Sequence, residues 1–194
     1  RHGESIVNIQ RRLTCRQYDG DLSELGREQA GKAARWFGDK GLTQIRHSPF
    51  HRAQQTAEII GGALGLTVIP DDDLCEMNCG NLEGRTDEDA WAIWAGVYQR
   101  WQKSEGDARF PEGESYSEAA ARFKRGLSRA AGNENVLLVT HGGISITVLP
   151  PLCVNAATMG WVEHLANTGI IVLERYDAER YSCSAWNLIE HLDH

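Results

Sequence analysis

The feature that most constrains the fold is a short apolar run that ends in a histidine and two glycines. The run at 136–139 reads Val-Leu-Leu-Val, and Thr140, His141 and Gly142-Gly143 follow at once. A continuous apolar run of this length is typical of a strand buried on both faces in a parallel sheet. Because ligand sites in open α/β sheets lie at the carboxyl ends of strands, His141 is a candidate ligand-binding residue. The alternative is a histidine that only fills the core.

Strand and helix patterns alternate along the chain, which indicates an α/β protein. The predicted strands cover 42–47, 66–69, 136–139, 170–174 and 181–188, with the last two as an outer hairpin. The predicted helices run from an N-cap at Ser23 to Gly41, over 51–64 and 86–103, from Ser115 past Leu127, and over 144–153 with a break at Pro150-Pro151. Capping boxes are predicted at the start of two of these helices. Thr86 pairs with Asp89 in the helix over 86–103, and Ser115 pairs with Glu118 in the helix that follows.

Length, composition and charge limit the possible functions. A chain of 194 residues fits one domain, 1–194, that buries a core without disulfides or structural metal. The formal net charge of −7 argues against a nucleic-acid partner, although a local arginine pocket can still bind an anionic substrate. Since no apolar run approaches the roughly eighteen residues of a membrane span and no signal peptide is visible, we expect no membrane association and a cytoplasmic location.

The cysteines and the acidic run are interpreted as structural. Five cysteines are an odd number, which favours reduced thiols over a disulfide framework. Cys75 and Cys79 are predicted to be small buried residues rather than metal ligands, because no second metal-type pair follows. The run Asp71-Asp72-Asp73 is predicted to be a solvated acidic turn and not a cation site.

Arg1-His2-Gly3-Glu4 is the second candidate site. A neutral imidazole can attack phosphorus when cations neutralise the oxygens of the group attacked, and Arg1 supplies the first cation. Arg52 is predicted to lie in the first turn of the helix over 51–64, where free backbone N–H groups and the helix dipole favour an anion. A nucleophilic histidine at the end of a strand also predicts an apolar strand of about five to eight residues ahead of Arg1.

Four stretches together resemble the histidine phosphatase superfamily, which includes cofactor-dependent phosphoglycerate mutases and small phosphomonoesterases. They are RHGE at 1–4, SPFHRAQQTAEII at 48–60, LCEMNCGNLEG at 74–84 and VLLVTHGG at 136–143. The resemblance implies a three-layer αβα sandwich with a mostly parallel central sheet and a small helical cap inserted at about 85–115. It also implies phosphohistidine chemistry without a metal or other cofactor, on a small phosphorylated substrate.

The resemblance assigns expected roles to individual residues. His2 is the expected nucleophile, and Glu76, in the pattern LxExxxGxxEG, is the expected proton donor, with Glu83 as a rival carboxylate that is more typical of a structural role. The expected phosphate ligands are Arg1, Arg52, His141 and Asn8. Asn8 alternatively only caps a turn. Glu114 and Ser115 are candidates for substrate contact or, equally, for helix capping alone.

Three functions are left open by the sequence. A phosphatase is favoured over a mutase, because the insertion between Gly84 and Pro111 is short and the histidine loop reads HGG where mutases usually carry asparagine after the first glycine. A non-catalytic phospholigand-binding module is the third.

The aromatic residues Trp91, Trp94, Tyr98 and Trp101 share one predicted helix face, which either packs on the main body or walls the substrate pocket. The oligomeric state is open, with a homodimer as one option.

Overall fold

A three-stranded parallel sheet forms the centre of the fold. The computed structural model describes residues 1–16, 18–103, 105, 107–130, 135–159 and 164–193. Its parallel strands are β1 (Gln44–His47), β2 (Val68–Pro70) and β3 (Val136–Val139), in the order β2-β1-β3. Ile45 of β1 lies opposite Val68 on one side and Leu137 on the other, and it is fully buried. The predicted α/β class with a mostly parallel central sheet is confirmed.

An antiparallel hairpin lies beside this sheet, as predicted. It consists of β4 (Ile170–Arg175) and β5 (Tyr181–Leu188). A cleft of about 660 Å³ is lined by residues of both β3 and β4. The backbone of His2 joins their ends, because its N–H donates to Thr140 O (3.0 Å) and its carbonyl accepts from Thr168 N (3.1 Å). The strand expected ahead of Arg1 stays a prediction.

Six α-helices of the described residues surround the strands. They are α1 (Ile6–Ile9), α2 (Glu24–Phe37), α3 (His51–Leu64), α4 (Glu88–Gln102), α5 (Tyr116–Ala130) and α6 (Gly142–Leu152). The bounds of α3 are those predicted. Among the described residues, no helix has both the length and the apolar character that crossing a membrane requires.

The predicted end of α2 and the predicted break in α6 are wrong. The helix α2 begins after its predicted N-cap Ser23, but it ends at Phe37 rather than at Gly41. Gly41 lies in a later turn with a φ of 61°, a left-handed conformation that glycine adopts without a steric penalty. The helix α6 continues through Pro150 and Pro151 instead of breaking there. Both prolines lie in its last turn, where each lacks the N–H that would donate to a carbonyl one turn earlier, so this turn is held by fewer backbone hydrogen bonds.

The predicted caps have mixed outcomes. At α5 the capping box is confirmed, because Ser115 N donates to the Glu118 carboxylate (2.9 Å) and Glu118 N donates to Ser115 Oγ (3.3 Å). At α4 the predicted box of Thr86 and Asp89 is wrong. The N-cap is Asp87, whose carboxylate accepts a backbone N–H of the first turn at 3.1 Å. Thr86 and Asp87 are adjacent and both are common N-cap residues, so the spacing alone did not show which of them caps α4.

The acidic run after β2 is only in part the solvated turn that the sequence predicts, because Asp72 is exposed while Asp71 and Asp73 are paired with arginines. Asp71 is only 5% exposed, and it accepts hydrogen bonds from Arg46 (3.2 Å) and Arg129 (2.9 Å). Asp73 accepts from Arg125 (2.8 Å) and also pairs with Arg129. These ion pairs join the end of β2 to α5, so the carboxylates serve the packing of a helix on the sheet.

The aromatic face of α4 packs on the main body. Trp101 is buried and donates its indole N–H to Ala108 O (2.6 Å). Trp94 stacks on Tyr98 and on Phe110, with ring centroids 5.4 and 6.3 Å apart. These rings adjoin the larger of two apolar clusters, which confirms the packing interpretation. A contact between them and a substrate stays a prediction.

Candidate active site

His2, Arg52 and His141 meet at the carboxyl end of the parallel sheet. All three side chains are buried, with 3%, 2% and 1% of their surfaces exposed. The strand β3 leads directly to His141, while Arg52 is the second residue of α3 and lies at its N-terminal end. The ring centroids of His2 and His141 are 5.1 Å apart, and Arg52 Nε lies 3.3 Å from His2 Nε2. Tertiary structure thus joins three of the predicted site residues.

The hydrogen bonds of His2 define its tautomer. Nδ1 lies 2.7 Å from the Gly3 carbonyl, which can only accept, so the ring proton is assigned to Nδ1. Nε2 accepts from Arg52 and therefore carries the free electron pair. Burial, followed by the charges of Arg52 and Arg1, lowers the pKa of His2 well below its usual range. The imidazole is consequently neutral at pH 7, which is the nucleophilic form.

Two buried N–H donors of the site have no acceptor among the described residues. They are Arg1 Nε and His141 Nδ1. The other ring nitrogen of His141, Nε2, lies 2.8 Å from Ser48 Oγ, and burial lowers the pKa of the ring well below its usual range. When the Ser48 hydroxyl donates to Nε2, the proton of the neutral ring lies on Nδ1. Buried donors without partners are rare in folded proteins, so these two indicate an acceptor-rich ligand.

Two arginines supply the positive charge of the site. Arg52 is held by an ion pair with Asp19 (3.2 Å) and by a bond to Thr14 O (3.2 Å). Arg1 donates through Nη1 to Leu165 O (2.5 Å). Burial lowers the pKa of both guanidinium groups, but arginine remains cationic in proteins. Two buried cations beside neutral imidazoles form a binding site for an anion.

Glu76 lies at the N-terminal end of α6. Its carboxylate accepts from the backbone N–H groups of Met77 (2.9 Å), Gly143 (2.8 Å) and Ile144 (2.6 Å). The carboxylate is near enough to raise the pKa of both Arg1 and Arg52, against the larger opposite effect of burial. The structure thus places the expected proton donor within electrostatic range of both cations.

Glu83, the rival carboxylate, organises a loop. It accepts backbone N–H groups from Cys15 (2.8 Å), Arg16 (3.0 Å) and Tyr18 (3.1 Å). The loop that it holds contains Thr14, whose carbonyl accepts from Arg52. This arrangement agrees with the structural role expected for Glu83.

The expectation of five reduced cysteines is wrong. Cys15 and Cys79 form a disulfide between residues 64 positions apart, and Cys75, Cys153 and Cys183 are free and buried. An odd number of cysteines does not exclude a single disulfide. Here one disulfide joins the loop before Asp19 to the loop after Glu76. Disulfides persist mainly in oxidising compartments, so the cysteines no longer support the expected cytoplasmic location, which stays a prediction.

Reduction of this disulfide is expected to lower the stability of the protein. Closing a loop of this length removes entropy from the unfolded chain worth about 4 kcal/mol in the chain-entropy model. The variant Cys15→Ser should therefore unfold at lower urea concentration than the oxidised wild type, and a reductant should shift the wild type in the same direction. Thiol titration of the denatured, unreduced wild type should find three free thiols. Five thiols before reduction would contradict the disulfide.

One group of side chains has the spacing of a metal site. Within the described ranges, Cys15, Cys79 and Glu83 alone place at least three ligand atoms of this kind within 4.8 Å of one another. The two sulfurs are bonded to each other, and the carboxylate already accepts backbone N–H groups. Because the two sulfurs and the carboxylate oxygens already bond within the protein, these atoms are poorly suited to bind a metal ion.

The predicted phosphate ligand Asn8 lies beside the site with its amide oxygen engaged. Its Oδ1 accepts from Ser5 N (3.1 Å), Ser5 Oγ (2.9 Å) and Asn167 Nδ2 (3.2 Å). The amide oxygen thus makes the turn cap that was the alternative. Asn167 also donates to His2 O (3.3 Å), a role that sequence reasoning missed. The donation of Asn8 to a phosphate stays a prediction.

Glu114 and Ser115 both have structural partners. Ser115 is 3% exposed and caps α5, while Glu114 accepts from Arg122 Nε and Nη2 (both 3.0 Å) and from Asn78 N (2.8 Å). Their contact with a substrate stays a prediction. Arg122, which sequence reasoning missed, also donates to the carbonyls of Cys75 (2.9 Å) and Glu76 (3.2 Å). It therefore supports the loop that carries Glu76.

Comparison with known proteins identifies the family of this chain. The family model of the histidine phosphatase superfamily (branch 1) matches residues 1–189. A Yersinia pestis (strain Pestoides F) relative named probable phosphoglycerate mutase GpmB is 40% identical over 152 residues, which are 73% of this chain and 67% of the relative. The structure of a mycobacterial glucosyl-3-phosphoglycerate phosphatase with inorganic phosphate is 28% identical, with a TM-score of 0.79 over 98% of this chain and 95% of that chain.

A phosphoglycerate mutase from Bacillus anthracis str. Sterne has the same fold. Its TM-score is 0.83 at 20% identity, with 99% of this chain and 92% of that chain covered. The match of the family model covers nearly the whole chain, including His2, Arg52, Glu76 and His141. The chain belongs to the histidine phosphatase superfamily.

Proposed function

We propose that the protein is a phosphomonoesterase that hydrolyses a small phosphorylated metabolite through a phosphohistidine intermediate. The observation that carries this proposal is the surroundings of His2. Its Nε2 has a free electron pair, while Arg1 Nε and His141 Nδ1 lie buried without an acceptor in the part of the chain that the structure describes. A phosphoryl group supplies a phosphorus atom that His2 Nε2 can attack. It also supplies acceptor oxygens for the N–H groups of Arg1 and His141.

In the first half-reaction, His2 Nε2 attacks phosphorus and the bond from phosphorus to the ester oxygen breaks. Arg1, Arg52, His141 and Asn8 hold the three equatorial oxygens, where the charge of the transition state lies. The departing alkoxide takes a proton from Glu76, which forms the alcohol and leaves a carboxylate. The Arg52 N–H that rests on His2 Nε2 turns to a phosphoryl oxygen, because the nucleophile needs that electron pair.

In the second half-reaction, water attacks the phosphohistidine. Its proton goes to the Glu76 carboxylate, the bond from phosphorus to nitrogen breaks, and inorganic phosphate leaves. His2 Nε2 regains its electron pair and Glu76 its proton, so the cycle closes without another reactant. Because two guanidinium groups offset the charge of the phosphoryl group, we propose that no metal ion takes part.

The phosphatase is favoured over the mutase by the short insertion between Gly84 and Pro111 and by Gly143 at the position where mutases usually have asparagine. The 40% identity with a relative named a probable phosphoglycerate mutase supports the mutase as the second candidate. The likeness to a glucosyl-3-phosphoglycerate phosphatase supports phosphoglycerate esters as the first substrates to test. Sugar phosphates and other small phosphomonoesters follow in the panel.

Release of inorganic phosphate tests this function. We expect hydrolysis of p-nitrophenyl phosphate and of at least one metabolite of the panel, unchanged by a chelator, since the cations are side chains. Isomerisation of 3-phosphoglycerate with the bisphosphate present, in place of hydrolysis, would establish the mutase. Absence of both activities, with phosphate binding retained in calorimetry, would establish the binding module. Loss of activity with the chelator would overturn metal independence alone.

A further inference from the structure

The carboxylate of Glu76 lies directly against the backbone of Gly143. Gly143 is the second residue of α6, and its N–H donates to Glu76 Oε2 (2.8 Å), while the next N–H, of Ile144, donates to Oε1 (2.6 Å). Both oxygens are thus bound by the first turn of one helix. The free N–H groups of a helix N-terminus favour such an acceptor.

This contact leaves no space for a side chain at residue 143. A Cβ atom built on Gly143 would lie 2.9 Å from each carboxylate oxygen of Glu76 and 3.0 Å from its Cδ. Those distances are shorter than van der Waals contact, so one of the two residues must move. Glu76 would move, because its carboxylate is the end of a flexible side chain whereas Gly143 is held in a helix.

We propose that Gly143 is a positioning residue for the general acid, because its lack of a side chain lets the Glu76 carboxylate seat on the first turn of α6. This inference rests on the proposed function, in which Glu76 protonates the leaving group. Gly143 has no positive φ, so a larger residue introduces no backbone strain and acts through the carboxylate. A side chain at this position displaces the acid while the nucleophile and the arginines remain in place.

Substrates with different leaving groups distinguish a role in positioning the general acid from a general disturbance of the active site. An alkyl phosphate needs a proton on its departing oxygen, whereas p-nitrophenolate leaves without one. The ratio kcat/KM reports the steps up to alcohol release, which is the half-reaction that uses the acid. For Gly143→Ala we expect kcat/KM to fall about tenfold or more with an alkyl phosphate and less than about threefold with p-nitrophenyl phosphate.

Two further variants make the result decisive. Gly31→Ala in α2 is the matched control, because a Cβ there meets no atom within 4 Å, and its activity should equal that of the wild type. In a double-mutant cycle, Gly143→Ala should add no further loss to Glu76→Gln, since both remove the same function. Thermal unfolding of Gly143→Ala should shift by no more than about 4 °C, because alanine is favourable in a helix.

Three results would overturn the proposal. They are equal losses with both substrates, an unchanged alkyl phosphatase activity in Gly143→Ala, and a loss that adds fully to that of Glu76→Gln. If Glu76→Gln itself lacks leaving-group selectivity while His2→Ala is inactive, the general acid is another group. The hydrolytic function then stands, and the role of Gly143 falls with that of Glu76.

Discussion

Replacing His2 with alanine is expected to abolish phosphate release, with a loss of about ten-thousandfold or more in kcat. The variant lacks the one protein atom that the proposed mechanism bonds to phosphorus, and the buried cations that remain can bind the substrate but cannot form the intermediate. Labelling with a radioactive phosphomonoester followed by rapid quenching should show an acid-labile phosphoenzyme in the wild type and none in His2→Ala.

His51→Ala is the matched control for this variant. The side chain of His51 is 64% exposed and lies next to Arg52 in sequence. Its loss should leave both the label and the turnover unchanged. Circular dichroism should show the same helix content in both variants, since His2 is buried and its removal must be distinguished from unfolding. An acid-labile label that persists in folded His2→Ala would place the nucleophile elsewhere.

Replacing Glu76 with glutamine is expected to lower kcat/KM for alkyl phosphates by about a hundredfold to ten-thousandfold, the range that a general acid contributes. Glutamine retains the shape but only one acceptor oxygen, so its NH2 group faces one of the two N–H groups of Gly143 and Ile144 that the carboxylate binds. The dependence of the loss on the leaving group, rather than its size, therefore identifies the missing proton. With p-nitrophenyl phosphate the loss in kcat/KM should be far smaller. Initial rates measured with both substrates check the expectation.

Glu58→Gln provides the comparison, because Glu58 is an exposed residue of α3 that accepts only a solvent-exposed hydrogen bond from Gln54 in the described contacts. It undergoes the same chemical change away from the site and should retain wild-type rates. An unchanged kcat/KM for alkyl phosphates in Glu76→Gln would remove this residue from the mechanism. The other carboxylates that act on the charge of Arg52, Asp19 and Glu83, would then need testing, although both are held by protein partners.

The elements with strong local signals were predicted well. The helix α3 has its predicted bounds because Ser48-Pro49 interrupts the preceding strand and an apolar period follows. The hairpin β4–β5 and the caps at Ser23 and Ser115 were also correct. Errors arose where several residues offered the same local signal, as at the cap of α4. They also arose where distant partners changed the outcome, as at Asp71.

Parts of the candidate site had no signal in the sequence. Ser48 beside His141, Asn167 beside Asn8, and Arg122 beneath the Glu76 loop are defined by contacts between residues far apart in the chain. Each residue type is common in surface loops, so composition and spacing do not single it out. The fit of Gly143 against a carboxylate is of the same kind, because only the position of Glu76 makes the glycine necessary.

By itself the sequence determined the alternation of helices and strands and the identities of the side chains that share the site, since both follow from local periodicity and from recognisable motifs. Only the tertiary structure decided the tautomer of His2 and the pairing of two of the five cysteines. It also decided that the buried donors of Arg1 and His141 lack an acceptor among the described residues. Each of these depends on distances between atoms that the chain brings together on folding. Hydrogen bonds and disulfides form only over a few ångströms, and no local pattern encodes such distances.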